Sequence, residues 1–247
     1  MAFDPAIRKL IGMLTPSSNT VLEPVTAAML AGLPEVSAHF GRFRVTEISL
    51  DQAALRQFDE APILDAARLL ADARVGALVW NGTSSGWLGL EADRRLCASI
   101  RDATGIAAGT SVLALVEILR RQNAKKIGFV TPYLDDIQAR IVENFATEGF
   151  ETVAERHLGD RGNFSFSEYS EARIAALVRE VAKAKPDAIG VFCTNMRGAP
   201  VAAALEKELG IPVYDTVATA VWAGLRIVGV PTRRVVGWGS LFFNFDA

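Results

Sequence analysis

The stretch Leu78-Val-Trp-Asn-Gly-Thr-Ser-Ser-Gly-Trp87 carries Gly82, Ser84 and Gly86 at alternate positions, directly after an apolar run. That spacing can hold a serine nucleophile on a sharp turn between a strand and a helix. It predicts acyl-transfer chemistry only where an acid and a histidine fall in suitable places elsewhere. His157 is the only histidine after Ser84, and residues 158–247 follow it. In an α/β-hydrolase the histidine loop comes nearer the end of the sheet, so the fit is poor. Helix capping by hydroxyls accounts for Ser84 and Ser85 at least as well.

Cys193 is the second chemical candidate. It closes the apolar run Ala188-Ile-Gly-Val-Phe192 and precedes Thr194, Asn195 and the expected start of a helix. A lone cysteine after a strand is more often a small buried hydrophobe than a catalyst. A place ahead of a helix N-terminus, however, is expected to lower the thiol pKa and present the sulfur to a cleft. Cys97 lies mid-helix beside alanine and reads as packing. Two cysteines and two histidines without metal-ligand spacing supply neither a disulfide framework nor a zinc site.

These residues need a scaffold, and the chain is long enough to build one. Of its 247 residues half are hydrophobic, so a substantial core can be buried. The 26 basic and 28 acidic side chains leave a net charge of −2, no field for gripping a nucleic-acid backbone. No apolar stretch reaches membrane-spanning length and the N-terminus does not read as a signal segment, so a cytoplasmic protein with reduced thiols is expected.

Apolar runs alternate with helix-period segments, the pattern of a mainly parallel sheet covered on both faces by helices. Strands are expected at residues 8–14, 35–45, 76–80, 126–130, 151–156, 187–192 and 235–237. Helical periodicity marks the segments beginning at Asp65, Ser111, Tyr133, Glu171 and Pro200. The two halves run alike, which predicts an α/β fold of two pseudo-symmetric lobes. The expected division assigns 1–115 plus 217–247 to the first lobe and 116–216 to the second, with a last helix and strand crossing back. Ligands of open parallel sheets sit beyond the carboxyl ends of the strands. The turns led by Asn19, Thr83, Tyr133 and Cys193 are therefore expected to surround one cleft between the lobes.

The segments Gly12–Pro24, Asn81–Trp87, Thr131–Asp136 and Val191–Gly198, in this order and spacing, carry a resemblance. The chain resembles the cofactor-independent aspartate/glutamate racemase superfamily, most closely the branch of maleate cis-trans isomerases and arylmalonate decarboxylases. The resemblance spans nearly the whole sequence. It implies no cofactor and a small carboxylic acid as partner, with no nucleic acid or membrane, and it is compatible with a homo-oligomer. Two-base members carry one cysteine in each lobe. Here the second-lobe position is Cys193, and the first-lobe position is Gly82, as in the decarboxylase pattern. The resemblance makes Cys193 the catalytic proton donor and places Asn19, Gly82, Thr83, Ser84, Tyr133 and Thr194 in the substrate-binding set.

Two reactions follow from that pattern. A malonate-type acid would lose carbon dioxide to leave an enediolate, held by hydroxyls of Thr83, Ser84 and Tyr133 and protonated by Cys193. Isomerisation or racemisation is the alternative: Asn19 resembles the isomerase pattern for a carboxylate, and Arg42 and Arg44 stand where the decarboxylase has an apolar strand. Those arginines read equally well as a solvated strand edge. Gly82 has no side chain to attack a double bond, which ranks decarboxylation first. Trp80, Trp87, Phe192 and Trp222 are candidates for an aryl pocket, or simply core. A carboxylate-binding protein that has lost catalysis is a further class.

Overall fold

The computed structural model describes residues 8–246. Its strands are β1 (Lys9–Pro16), β2 (Val36–Phe43), β3 (Ala77–Trp80), β4 (Ala108–Thr110), β5 (Lys126–Thr131), β6 (Glu151–His157), β7 (Ala188–Val191) and β8 (Val213–Asp215). The helices are α1 (Leu22–Leu30), α2 (Gln52–Leu55), α3 (Glu60–Asp72), α4 (Ser85–Leu88), α5 (Leu90–Thr104) and α6 (Ser111–Arg121). They continue with α7 (Asp135–Thr147), α8 (Glu171–Ala182), α9 (Ala199–Leu209), α10 (Thr216–Ile227) and α11 (Leu241–Asn244).

The strands form two four-stranded sheets of orders β2-β1-β3-β4 and β6-β5-β7-β8, and every strand pairing is parallel. The two orders are the same pattern repeated, as the likeness of the two halves predicts. The central strands β3 and β7 are buried along their whole length, which is why they read as unbroken apolar runs. In each sheet the chain leaves its first strand toward one edge and returns to the other side, so the order reverses beside β1 and β3, and again beside β5 and β7. Loops at such points open into a crevice. Helix α10 packs on α6 and also reaches β3, β4 and α1 of the first sheet. No helix among the described residues is long and apolar enough to cross a membrane.

Two expectations about the strands need correction. Residues 235–237 form no strand: a tight turn at Thr232–Arg234 precedes them, Val236 is 72% exposed, and Gly237 and Gly239 adopt φ of +91° and +100°. Left-handed backbone of this kind cannot continue a ladder. Conversely β4 and β8 have only three residues each, too short to show a period, and both escape a reading by hydrophobic pattern.

The joint between the lobes explains one glycine of the Gly-Ser-Gly run. A Cβ on Gly86 would lie 2.5 Å from Phe192 Cε1 and 3.2 Å from Ile141 Cγ1. Glycine is therefore what lets α4 of the first lobe approach α7 and the end of β7 in the second.

Candidate active site

The loops after β1, β3, β5 and β7 meet at a small, partly enclosed cavity of about 20 Å³, room for roughly one water. Its polar lining is Thr83, Ser84, Tyr133, Asn163, Cys193 and Thr194. Its apolar lining is Pro16, Val45, Ile48, Phe58, Trp80 and Trp87, and Gly82 completes the wall. The hydroxyls of Thr83 and Tyr133, from different lobes, lie 2.6 Å apart. The Tyr133 ring is wedged between Trp87 and Phe166, at 5.1 and 5.6 Å between ring centres. The main-chain N–H groups of Thr83, Ser84 and Thr194 have no partner among the described residues.

Asn19 does not line the cavity. Its Oδ1 accepts from the N–H groups of Val21 and Leu22, and its Nδ2 donates to Thr194 Oγ1 at 3.1 Å. The amide expected to hold a substrate carboxylate caps the start of α1 and holds Thr194, whose hydroxyl donates to the Asn81 carbonyl, and keeps one Nδ2 hydrogen outside these bonds. Asn195 extends the bridge between lobes. Its Oδ1 accepts from Thr20 and Val21 N–H, and its Nδ2 donates to the Asn163 carbonyl at 2.6 Å.

Cys193 is 3% exposed, and burial pushes its thiol up to about 12. The expected lowering by a helix N-terminus is absent for a geometric reason: α9 begins only at Ala199, beyond a polar turn. An N–H group of Asn195 donates to the sulfur at 3.4 Å, too little to offset desolvation. The Tyr133 hydroxyl is likewise pushed well above its usual range by burial. Both groups are protonated at neutral pH and can act as donors.

The remaining sequence candidates sort themselves by geometry. Ser84 makes no side-chain capping bond, so capping does not account for its hydroxyl. No serine triad assembles, because both ring nitrogens of His157 are taken, by Glu155 at 2.8 Å and Asp135 at 2.7 Å. Arg42 and Arg44 point away from the cavity while their neighbours Phe43 and Val45 are buried. Arg42 pairs with Glu23 at 2.8 Å and donates to the Ser17 and Asn19 carbonyls, bracing the loop after β1. Of the aromatic candidates, Trp80 and Trp87 line the cavity. Phe192 packs on Phe129 and Phe145, and Trp222 lies under the Arg226 guanidinium at 4.5 Å.

A family model described as arylmalonate decarboxylase matches residues 11–242. The chain belongs to the arylmalonate decarboxylase family. It is 25% identical over 235 residues to the arylmalonate decarboxylase of Bordetella bronchiseptica, covering 94% of this chain and 95% of that protein. To the maleate isomerase of Geobacillus stearothermophilus it is 27% identical over 245 residues, covering 94% and 96%. A variant of Nocardia farcinica maleate cis-trans isomerase with a covalently bound succinylcysteine intermediate superposes with a TM-score of 0.87 at 25% identity, covering 95% of this chain and 98% of that one. Unliganded arylmalonate decarboxylase superposes with a TM-score of 0.79 at 23% identity, covering 95% and 99%. These relatives are enzymes of two different reactions.

Reading this member of the arylmalonate decarboxylase family from sequence overlooks the roof of its cavity. Val45, Ile48 and Phe58 come from the connection between β2 and α3, which has no strong period of its own. Arg161 clasps that connection from the second lobe through Glu47 at 2.5 Å and Asp51 at 2.6 Å. Asp215, at the end of β8, is also missed, because the strand it ends is too short to announce itself. It is 1% exposed, its Oδ1 accepts from Val217 N–H at 2.8 Å, and burial raises it from the ordinary 3.8 to about 7.

A carboxyl raised on folding contributes stability that is fully present below its unfolded value and is lost as pH rises through the folded one. For Asp215 the window is about pH 4 to 7. Asp215→Asn removes that titration, so the stability lost between pH 5 and pH 8 should shrink by about 2–3 kcal/mol. Urea unfolding of both proteins at the two pH values measures it. An equal loss in wild type and variant would show that Asp215 does not titrate in this window.

Proposed function

We propose that this protein is a cofactor-independent decarboxylase of a malonate-type dicarboxylic acid, with Cys193 as proton donor. The observation that supports this reading best is the division of the cavity: one protonated thiol, the hydroxyls of Thr83, Ser84, Tyr133 and Thr194 and the Asn163 amide face an apolar wall, with no cationic side chain in the lining. A carboxylate against Val45, Ile48 and Trp80 has neither water nor counter-ion, and its departure as carbon dioxide relieves that desolvation. The bond from the α-carbon to that carboxyl breaks. Its electron pair spreads into the remaining carboxyl as a doubly charged enediolate.

Thr83, Ser84 and Tyr133, with the unpartnered N–H groups of Thr83, Ser84 and Thr194, form the donor set for the two enediolate oxygens. Cys193 then gives its proton to the α-carbon, leaving a monoacid and a thiolate that recovers a proton from water. One carbon dioxide leaves and one proton is consumed per turnover. At about 20 Å³ the cavity as it stands is too small for such an acid, so part of its wall must shift on entry.

Maleate isomerisation is the second reading, favoured by the higher TM-score of the isomerase structure. It calls for a thiolate to add to the double bond so that rotation can follow. A thiol pushed up to about 12 is a poor source of thiolate, and Gly82 offers no second one. A turnover screen of disubstituted malonates, maleate and α-aryl acids decides between them. The expected result is carbon dioxide release and a monoacid by NMR from malonates, with no fumarate from maleate. Fumarate without carbon dioxide would establish the isomerase, and binding without turnover would leave a carboxylate-binding protein.

A further inference from the structure

Position 82 lacks a side chain, and the space such a side chain would enter is already filled. An ideal Cβ on Gly82 would lie 1.9 Å from Trp80 Cζ2 and 2.4 Å from both Cε2 and Cη2, where ordinary contact is 3.4–4 Å. The benzenoid half of the indole thus rests directly on the Gly82 backbone. These are ring atoms of a rigid group and not the tip of a flexible chain. The ring is held in turn: Trp80 is 1% exposed and packs on Phe43, with ring centres 5.1 Å apart.

Trp80 ends β3 of the first sheet and Cys193 follows β7 of the second, and both line the same small cavity. The second-lobe side therefore presents a proton donor, and the first-lobe side presents an aromatic face with no exchangeable proton toward Gly82. Beyond it lies an outer pocket of about 340 Å³ that Trp80, Phe58 and Ser84 also line.

We propose that Trp80 confines proton transfer to one face of the bound enediolate, by occupying the ground above Gly82 and excluding water and any acid or base from that side. The role rests on the decarboxylase reading, in which an enediolate forms. Its steric basis does not. A cysteine at position 82 alone cannot enter the cavity without driving the indole outward. Removal of the indole is what would open the second face.

The test uses Gly82→Ala and Gly82→Cys, each in the wild-type and the Trp80→Leu backgrounds. Gly82→Ala adds only a methyl group. Overpacking should lower Tm by about 3–10 °C when Trp80 is present, and by less than half as much in the Trp80→Leu background. For proton transfer, a disubstituted malonate is turned over in D2O, with the product resolved by chiral chromatography and its α-deuterium followed by NMR. Gly82→Cys alone should still give one enantiomer. Trp80→Leu/Gly82→Cys should give product of low optical purity and exchange the α-hydrogen of both enantiomers.

Gly82→Cys racemising as fast as the double variant would overturn the role of Trp80, and so would a double variant that stays fully selective. Equal Tm losses in both backgrounds would overturn the placement of the indole, whatever the wild type catalyses. Absence of wild-type turnover on every acid would instead overturn the decarboxylase reading and the stereochemical role with it. The thermal cycle then still tells the two failures apart.

Discussion

Cys193→Ala should lower turnover of a malonate-type acid by about 10²- to 10⁴-fold while the protein stays folded. The sulfur is the one acidic hydrogen carrier on the second-lobe side of the cavity other than the hydroxyls, and alanine has no proton to give. The fold should survive, because the thiol's contacts are weak ones, from the Asn195 and Met196 N–H groups and the Tyr133 hydroxyl, and alanine fits the same buried position. A companion result is expected from the pH profile of the wild type. An ordinary thiol near 8.5 would lose its proton, and its usefulness as an acid, through the mildly alkaline range. A thiol held up to about 12 by burial stays protonated there, so kcat should be level from pH 7 to pH 9. Carbon dioxide release measures both, with circular dichroism to check folding. A variant that keeps most of its activity would move the proton donor elsewhere, and a kcat falling with an apparent pKa near 8.5 would mean that the bound state resolvates the thiol.

Tyr133→Phe should lower kcat by about 10²- to 10³-fold, the usual cost of removing one donor from a pocket that holds developing negative charge. The ring itself should not move, since Trp87 and Phe166 grip it from two sides and phenylalanine keeps those contacts. What is lost is a buried hydroxyl that shares a 2.6 Å hydrogen bond with Thr83 and can turn toward an enediolate oxygen. The charge on those oxygens appears as the carbon–carbon bond breaks, so kcat should fall much more than KM rises. Thr83→Val removes the other partner and should give a double-variant effect well short of the product of the two single losses, because each hydroxyl orients the other. Steady-state kinetics of the three variants checks this. An unchanged kcat in Tyr133→Phe would take the residue out of the donor set.

Much of this architecture is legible without coordinates, and the reason is burial. Strands β3 and β7 are covered on both faces, so they must be apolar at every position, and such runs stand out. The polar turns that end β1, β3, β5 and β7 stand out by contrast, and the repeat of that pattern points to two like sheets with their turns at one cleft. Edges are less legible. Strands β4 and β8 gain their strand character from a neighbour and not from their own three residues, whereas residues 235–237 have the composition of a strand and no neighbour to pair with.

Within the site, residue types were determined locally and roles were decided by tertiary placement. The presence of Cys193 and the absence of a side chain at Gly82 are facts of the sequence, and they narrow the chemistry to one thiol. The direction of the thiol pKa is not such a fact: it depends on how much water reaches the sulfur, and packing between the lobes excludes nearly all of it. Asn19 has the residue type of a carboxylate ligand, and only the fold shows its Oδ1 at the start of α1 and one Nδ2 hydrogen on Thr194 of the other lobe. Arg42 and Arg44 look like site cations until the β2 strand and the loop after it turn Phe43 and Val45 inward. Trp80 looks like core until its ring is found resting on Gly82. A sequence fixes which groups a chain can bring, but contacts across many residues decide which atoms are free, because each hydrogen bond or ring contact made inside the fold is one no longer offered to a substrate.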